Sequence, residues 1–170
     1  MTATRDEIHR AIDRWPGIHF NELVRRLGLA PGQVQYHIKR LRHDGAIVHE
    51  PLFGRTHYFS PEIERSDRRA IALLRRETPR AVVSYLLERG AVRPQQLATD
   101  LDLARSTVSY HVDRLRKVGL VESVDSPGGP VTIRVVDPDR VRSAIHLIEP
   151  DLSTRFTDRF ERLIDHLLEE

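Results

Sequence analysis

Cysteine is absent from the 170-residue chain, which removes disulfides, thiolate metal sites and a cysteine nucleophile together. Lysine is almost absent: Lys39 and Lys117 are the only two, so nearly all positive charge is arginine. No apolar run approaches the roughly 18 residues that a membrane-crossing helix needs. The opening segment MTATRDEIHR lacks the apolar core of a secretion signal, and the expected location is the cytoplasm. Nine histidines are present, but none stands with another histidine or carboxylate in a recognisable metal-ligand spacing. Neither a phosphate loop, a carboxylate pair nor a Ser-His-Asp arrangement stands out, so the reading is a non-enzyme with no metal or cofactor.

What is present is unevenly placed. The net charge is only +2, yet residues 1–60 hold nine basic against six acidic side chains, and residues 138–170 hold five against eight. A basic front and an acidic end point to a polyanion at the front only.

An internal repeat at an offset of 74 residues fixes the organisation. IHFNELVRRLGLAPGQVQYHIKRLRHDGAI (18–47) aligns without a gap on VRPQQLATDLDLARSTVSYHVDRLRKVGLV (92–121), with 11 of 30 positions identical. Two copies are too few for a solenoid, so this is a duplicated module. In each copy a first helix is expected. Thr4-Arg5-Asp6-Glu7 reads as a capping box ahead of Ile8, Ala11 and Ile12. Thr78-Pro79 reads as a cap ahead of Val82, Leu86 and Leu87. A short second helix and a tight turn follow, at Gly28-Leu29-Ala30 and Asp102-Leu103-Ala104. A third helix then starts near Pro31 or Arg105 and stops at Gly45 or Gly119. Val34, Ile38 and Leu41, matched by Val108, Val112 and Leu115, give each third helix one inward stripe.

After each glycine the pattern changes to that of a hairpin. Ile47-Val48 and His57-Tyr58-Phe59 flank a tip at 52–55, and 121–124 and 131–136 flank the tip SPGGP. Three helices and a hairpin make a winged helix-turn-helix. The expected fold is mainly α with small β wings: a first winged helix at 1–60, a linker helix at 61–77, a second winged helix at 78–137, and C-terminal helices at 138–170. Ser60 is read as the linker's cap and Pro61 as its first residue, with Ile63, Ala70, Ile71 and Leu74 inward.

The third helix of such a unit enters the major groove of DNA. Candidate contacts in the first copy are Gln33, Gln35, Tyr36, His37, Lys39, Arg40, Arg42 and His43, with Arg55 at the wing tip. In the second they are Arg105, Ser106, Thr107, Ser109, Tyr110, His111, Arg114, Arg116 and Lys117. Gln, Arg, Ser and Thr can read base edges. The aligned Arg40/Arg114 and Arg42/Arg116 lie further along and suit phosphates, which set register without choosing sequence. His37 and His111 precede an inward residue, so partial burial with a hydrogen bond competes with phosphate contact. The second wing tip has no charge, Arg134 being the nearest cation. Near the C-terminus, Leu152, Phe156, Phe160, Leu163 and Leu167 form an apolar helical face read as a homodimer interface.

RSTVSYHVDRLRKVGLVE (105–122) resembles the recognition helix and glycine turn of the MarR- and ArsR-type winged-helix regulators, and PGQVQYHIKRLRHDGAIVHE (31–50) is a more divergent version. The whole chain is similar to archaeal regulators with two such domains in tandem. The resemblance implies transcriptional control by binding double-stranded promoter DNA, usually as a dimer, and hence association with the nucleoid. The cysteines of the metal-sensing branch are missing, so that activity is not carried over. The competing expectation is a tandem winged-helix scaffold that binds proteins within a chromosome or transcription complex.

Overall fold

The structure is a computed structural model that describes residues 3–148. Helix α1 (Ala3–Arg14) buries Ile8, Ala11 and Ile12, the side given by their spacing. It already includes Ala3, so Thr4 lies in the first turn instead of at the expected capping position. Gly17, at φ +76°, turns the chain into a two-residue strand β1 (Ile18–His19), an element the sequence reading did not anticipate. Helix α2 (Phe20–Leu27) is capped by His19, whose Nδ1 accepts from the Glu22 amide, and it ends at left-handed Gly28. Helix α3 (Pro31–His43) starts on proline, whose missing N–H has no intrahelical partner to lose. It buries Val34, Ile38 and Leu41, and Gly45 takes the left-handed turn beyond it.

Strands β2 (Val48–Leu52) and β3 (Arg55–Phe59) close the first unit as a hairpin with Leu52 opposite Arg55. Only Phe53 and Gly54 lie between them, both at positive φ, which is the geometry that follows strand twist in a two-residue turn. Strand β1 pairs with β3, so the sheet order is β1-β3-β2.

Helix α4 (Arg65–Leu74) begins later than Ser60-Pro61 suggested. The Ser60 hydroxyl accepts from the Glu62 amide, and the Arg68 side chain donates to the carbonyls of Ile63 and Pro61. Those side-chain bonds satisfy a turn where a helix was expected. Ala70, Ile71, Ala72, Leu73 and Leu74 are all buried, so the end of α4 is enclosed on every side. Helix α5 (Glu77–Arg89) opens two residues before Pro79, which therefore sits inside the first turn, and Thr78 is not its cap. Helices α6 (Pro94–Asp100) and α7 (Arg105–Lys117) repeat the α2–α3 arrangement, with left-handed Asp102 in the turn. Strands β4 (Val121–Val124) and β5 (Thr132–Val135) form the second hairpin, and Val92 bridges Ile133 where β1 pairs in the first unit. Helix α8 (Pro138–Ile148) follows.

Two apolar clusters result. One joins α1, α2, α3, Ile18, Ile47 and Tyr58. The other joins α4 through α8 with β4, β5 and Phe59. The protein is thus mainly helical, with two winged helix-turn-helix units in tandem, and α4 is built into the core of the second. At the junction Arg75 donates to both oxygens of Glu22 at 2.7 Å and to the Pro16 carbonyl at 3.2 Å.

Candidate nucleic-acid interface

On α3 the inward stripe leaves Gln33, Gln35, Tyr36, Lys39, Arg40, Arg42 and His43 exposed and His37 half-buried. On α7, Arg105, Ser106, Ser109, Tyr110, Arg116 and Lys117 are exposed, whereas Thr107, His111 and Arg114 are half-buried. Tyr36 and Tyr110 are each 55% exposed. The two rings project at matched places of the two units.

Each tyrosine is coupled to the arginine one turn later. Arg40 Nη1 donates to the Tyr36 hydroxyl at 3.0 Å, and its guanidinium lies 5.8 Å from the ring centre. Arg114 donates to the Tyr110 hydroxyl and lies 5.0 Å from that ring. The i, i+4 spacing of a helix makes both contacts possible. Each pair presents a cation and a ring whose position is held before any ligand arrives.

His37 and His111 stand edge-on to the preceding tyrosine, at 5.1 and 5.0 Å between ring centres. The Nδ1 of each is buried without a hydrogen-bond partner. Burial, with Arg114 and Arg76 nearby, lowers the His111 pKa. The partial burial read from the sequence is present; a hydrogen bond at Nδ1 is not.

Other cations are answered locally. Arg116 and Lys117 both pair with Asp113, at 3.0 and 2.8 Å, and Arg134 pairs with Glu122 at 2.7 Å. With its tip residues exposed and uncharged, the second wing offers no unpaired cation among the described residues. In the first unit Arg42 and Lys39 border an open groove of about 980 Å³ between α3 and the sheet, with Phe20, Ile38, His49 and Tyr58 along it.

The first wing does not stand free. Phe53, at its tip, packs against the second core, and the Arg114 guanidinium lies 4.7 Å from its ring centre. Arg76, between α4 and α5, donates to the Phe53 carbonyl and lies 5.9 Å from the same ring. Arg55 stays exposed beside the tip, with Nη1 3.1 Å from Nε2 of His19. Phe53 and Arg76 were absent from the sequence-derived set, because Phe53 carries no charge and Arg76 lies in the segment read as a linker. The only trace of Arg76 was a pair of arginines ending the linker. The proposed dimer face, Leu152, Phe156, Phe160, Leu163 and Leu167, lies outside the described residues.

Comparison with known proteins matches a family described as an N-terminal HTH domain over residues 2–71. A second family, described as a helix-turn-helix domain, matches residues 73–124. An uncharacterised HTH-type transcriptional regulator of Methanocaldococcus jannaschii is 29% identical over 123 residues, which is 72% of this chain and 31% of that protein. The chain thus spans about a third of that relative's length. Among solved structures, an ArsR-like transcriptional regulator from Rhodococcus sp. RHA1 is similar at 23% identity and TM-score 0.41, covering 61% of this chain and 91% of that one. A MarR family protein from Bacillus stearothermophilus is similar at 23% identity and TM-score 0.40, covering 83% and 96%. Residues 2–71 and 73–124 therefore match two helix-turn-helix families in tandem, and the chain is similar to part of an archaeal regulator of that class.

Proposed function

We propose that the protein is a sequence-specific DNA-binding transcription regulator in which α3 and α7 both dock on one duplex. The observation that carries this reading is the pair of matched Tyr–Arg couples, Tyr36–Arg40 and Tyr110–Arg114, with both tyrosine rings exposed, on helices whose other faces are sealed into separate cores. A scaffold duplicated for packing alone needs only its apolar positions. The description of the M. jannaschii relative as a transcriptional regulator supports the same direction. Gln33, Gln35, Arg105, Ser106, Thr107 and Ser109 occupy the starts of these helices, where base edges are read. Arg40, Arg42, Arg114 and Arg116 lie where backbone phosphates run. A homodimer through the apolar face at 152–167 belongs to this reading on its sequence pattern, and sedimentation of the full chain tests it. The described residues contain no helix long and apolar enough to cross a membrane, in keeping with a cytoplasmic, nucleoid-associated regulator.

The test is duplex binding by fluorescence anisotropy across a salt series. Arg40→Ala with Arg42→Ala weakens binding to every sequence and lowers the salt slope by about one to two units. Unchanged affinity in about 100 mM salt removes α3 from the duplex. The scarcity of charge at the second wing tip favours one competitor, a protein-binding scaffold. On that reading a gel shift with genomic fragments from the native host shows no retention.

A further inference from the structure

Three arginines from three separate parts of the chain surround the tip of the first wing. Arg55 comes from β3, Arg76 from the joint between α4 and α5, and Arg114 from the second recognition helix. Phe53 stands among them, with Arg114 and Arg76 near its ring. Two of them are held by neutral acceptors, the Phe53 carbonyl for Arg76 and the Tyr110 hydroxyl for Arg114, while Arg55 Nη1 lies 3.1 Å from His19 Nε2. Among the described residues none of the three pairs with a carboxylate. This sets them apart from Arg68, Arg75, Arg116, Arg134 and Arg140, which all do.

Like charges gathered around a half-buried ring repel, and among the described residues no carboxylate pairs with any of the three to offset that repulsion. Its signature is on Arg76, whose pKa is lowered by burial and then by Arg114 and Arg55. A guanidinium has five N–H donors in a planar fork, so most of the donor capacity of the trio is unspent. A tetrahedral oxyanion satisfies both needs. It supplies the missing negative charge and accepts from several forks at once.

We propose that Arg55, Arg76 and Arg114 form a single phosphate site for the DNA backbone, so that the wing of the first unit serves the recognition helix of the second. This rests on the DNA-binding reading above and deepens it. In an independent winged helix the wing flanks its own recognition helix. Here Phe53 is docked on the second core, and the Arg76–Phe53 bond joins residues 23 apart across the two units. The two helices are therefore presented to the duplex as one preset pair, with a backbone phosphate clamped at the seam. The site also accounts for a second wing whose tip, SPGGP, carries no cation: α7 receives its flanking cations from elsewhere.

Two measurements on the full chain test the site. The first is anisotropy with a duplex of about 30 base pairs, using Arg55→Gln, Arg114→Gln and the double variant, with Arg142→Gln as the control. Each single substitution weakens binding roughly 5- to 10-fold. The double loses little more than the larger single, because arginines sharing one phosphate are coupled. Losses that multiply place the two arginines on separate phosphates and overturn the proposal. The second is thermal unfolding with sodium tripolyphosphate, which raises the melting temperature of the wild type and of Arg142→Gln but not of Arg76→Gln. Equal stabilisation of Arg76→Gln, or none in the wild type, also overturns it. Wild type that ignores DNA yet is stabilised by tripolyphosphate through Arg76 removes the regulator reading and keeps the anion site.

Discussion

At the scale of single residues, the tyrosine hydroxyls act as tethers. Tyr36 and Tyr110 hold Arg40 and Arg114 one turn away, reducing the freedom those long side chains lose on binding. Tyr36→Phe combined with Tyr110→Phe keeps the rings and removes the tethers. The expected outcome is duplex binding weakened about 3- to 10-fold, at roughly 1 kcal/mol or less per hydrogen bond, with an unchanged melting temperature because both rings are exposed. Glu22 works oppositely, for stability. Burial works to raise its pKa, but Arg75 and Arg26 outweigh that and hold the carboxylate below its ordinary range. Glu22→Gln leaves Arg75 enclosed without a counter-charge and costs about 3 kcal/mol in urea denaturation. No sequence pattern marks this pair, because 53 residues separate its members.

At the scale of elements, α4 departs most from its reading as a linker. A solvated connecting helix buries one stripe, whereas α4 buries five consecutive residues. Leu73→Ala is expected to destabilise the protein by about 3 kcal/mol, the cost of a cavity in a closed core. Scanning calorimetry checks this, since the same change in a solvated linker would cost under about 1 kcal/mol. The turn after α1 is equally exacting. A Cβ on Gly17 would meet Ile71 Cγ2 at 3.0 Å and Phe59 Cε1 at 3.1 Å, at a backbone φ of +76° that side chains disfavour. Gly17→Ala combines left-handed strain with a collision against α4, and about 2 kcal/mol or more of stability is lost. Helix α3 and helix α7 were legible nearly to the residue, since stripe and glycine agreed in both, with a starting proline besides in α3. The starts of α4 and α5 were not. Side-chain bonds from Ser60 and Arg68 stabilise a turn where cap and proline suggested a helix, and Pro79 is tolerated anywhere in a first turn.

At the scale of the whole molecule, acid acts in two steps. Burial lowers the pKa values of His57, His19, His49 and His111 below the ordinary 6.5. The unfolded chain therefore binds more protons than the native one just below that pH. Stability is complete above about 6.5 and falls as pH drops toward the folded-state values. Glu22, lowered from 4.5, adds a second loss at more acid pH. His57 is the principal member of the first group, being 2% exposed with Nδ1 2.6 Å from the Gly17 carbonyl. A melting-temperature series from pH 8 to pH 5 is expected to slope downward, and His57→Gln should flatten it. A flat wild-type profile would show that these histidines titrate alike folded and unfolded.

The sequence by itself determined the duplicated helix-turn-helix, the inward stripes and the outward tyrosines and arginines. Each is written in the spacing of neighbouring residues, and local backbone geometry converts spacing directly into a face. Only the tertiary structure decided which wing lies beside which helix, that the connecting helix is core, and that Arg55, Arg76 and Arg114 meet. Those contacts join residues far apart along the chain, brought together by burying Phe53 and the end of α4 in a core that no local pattern describes.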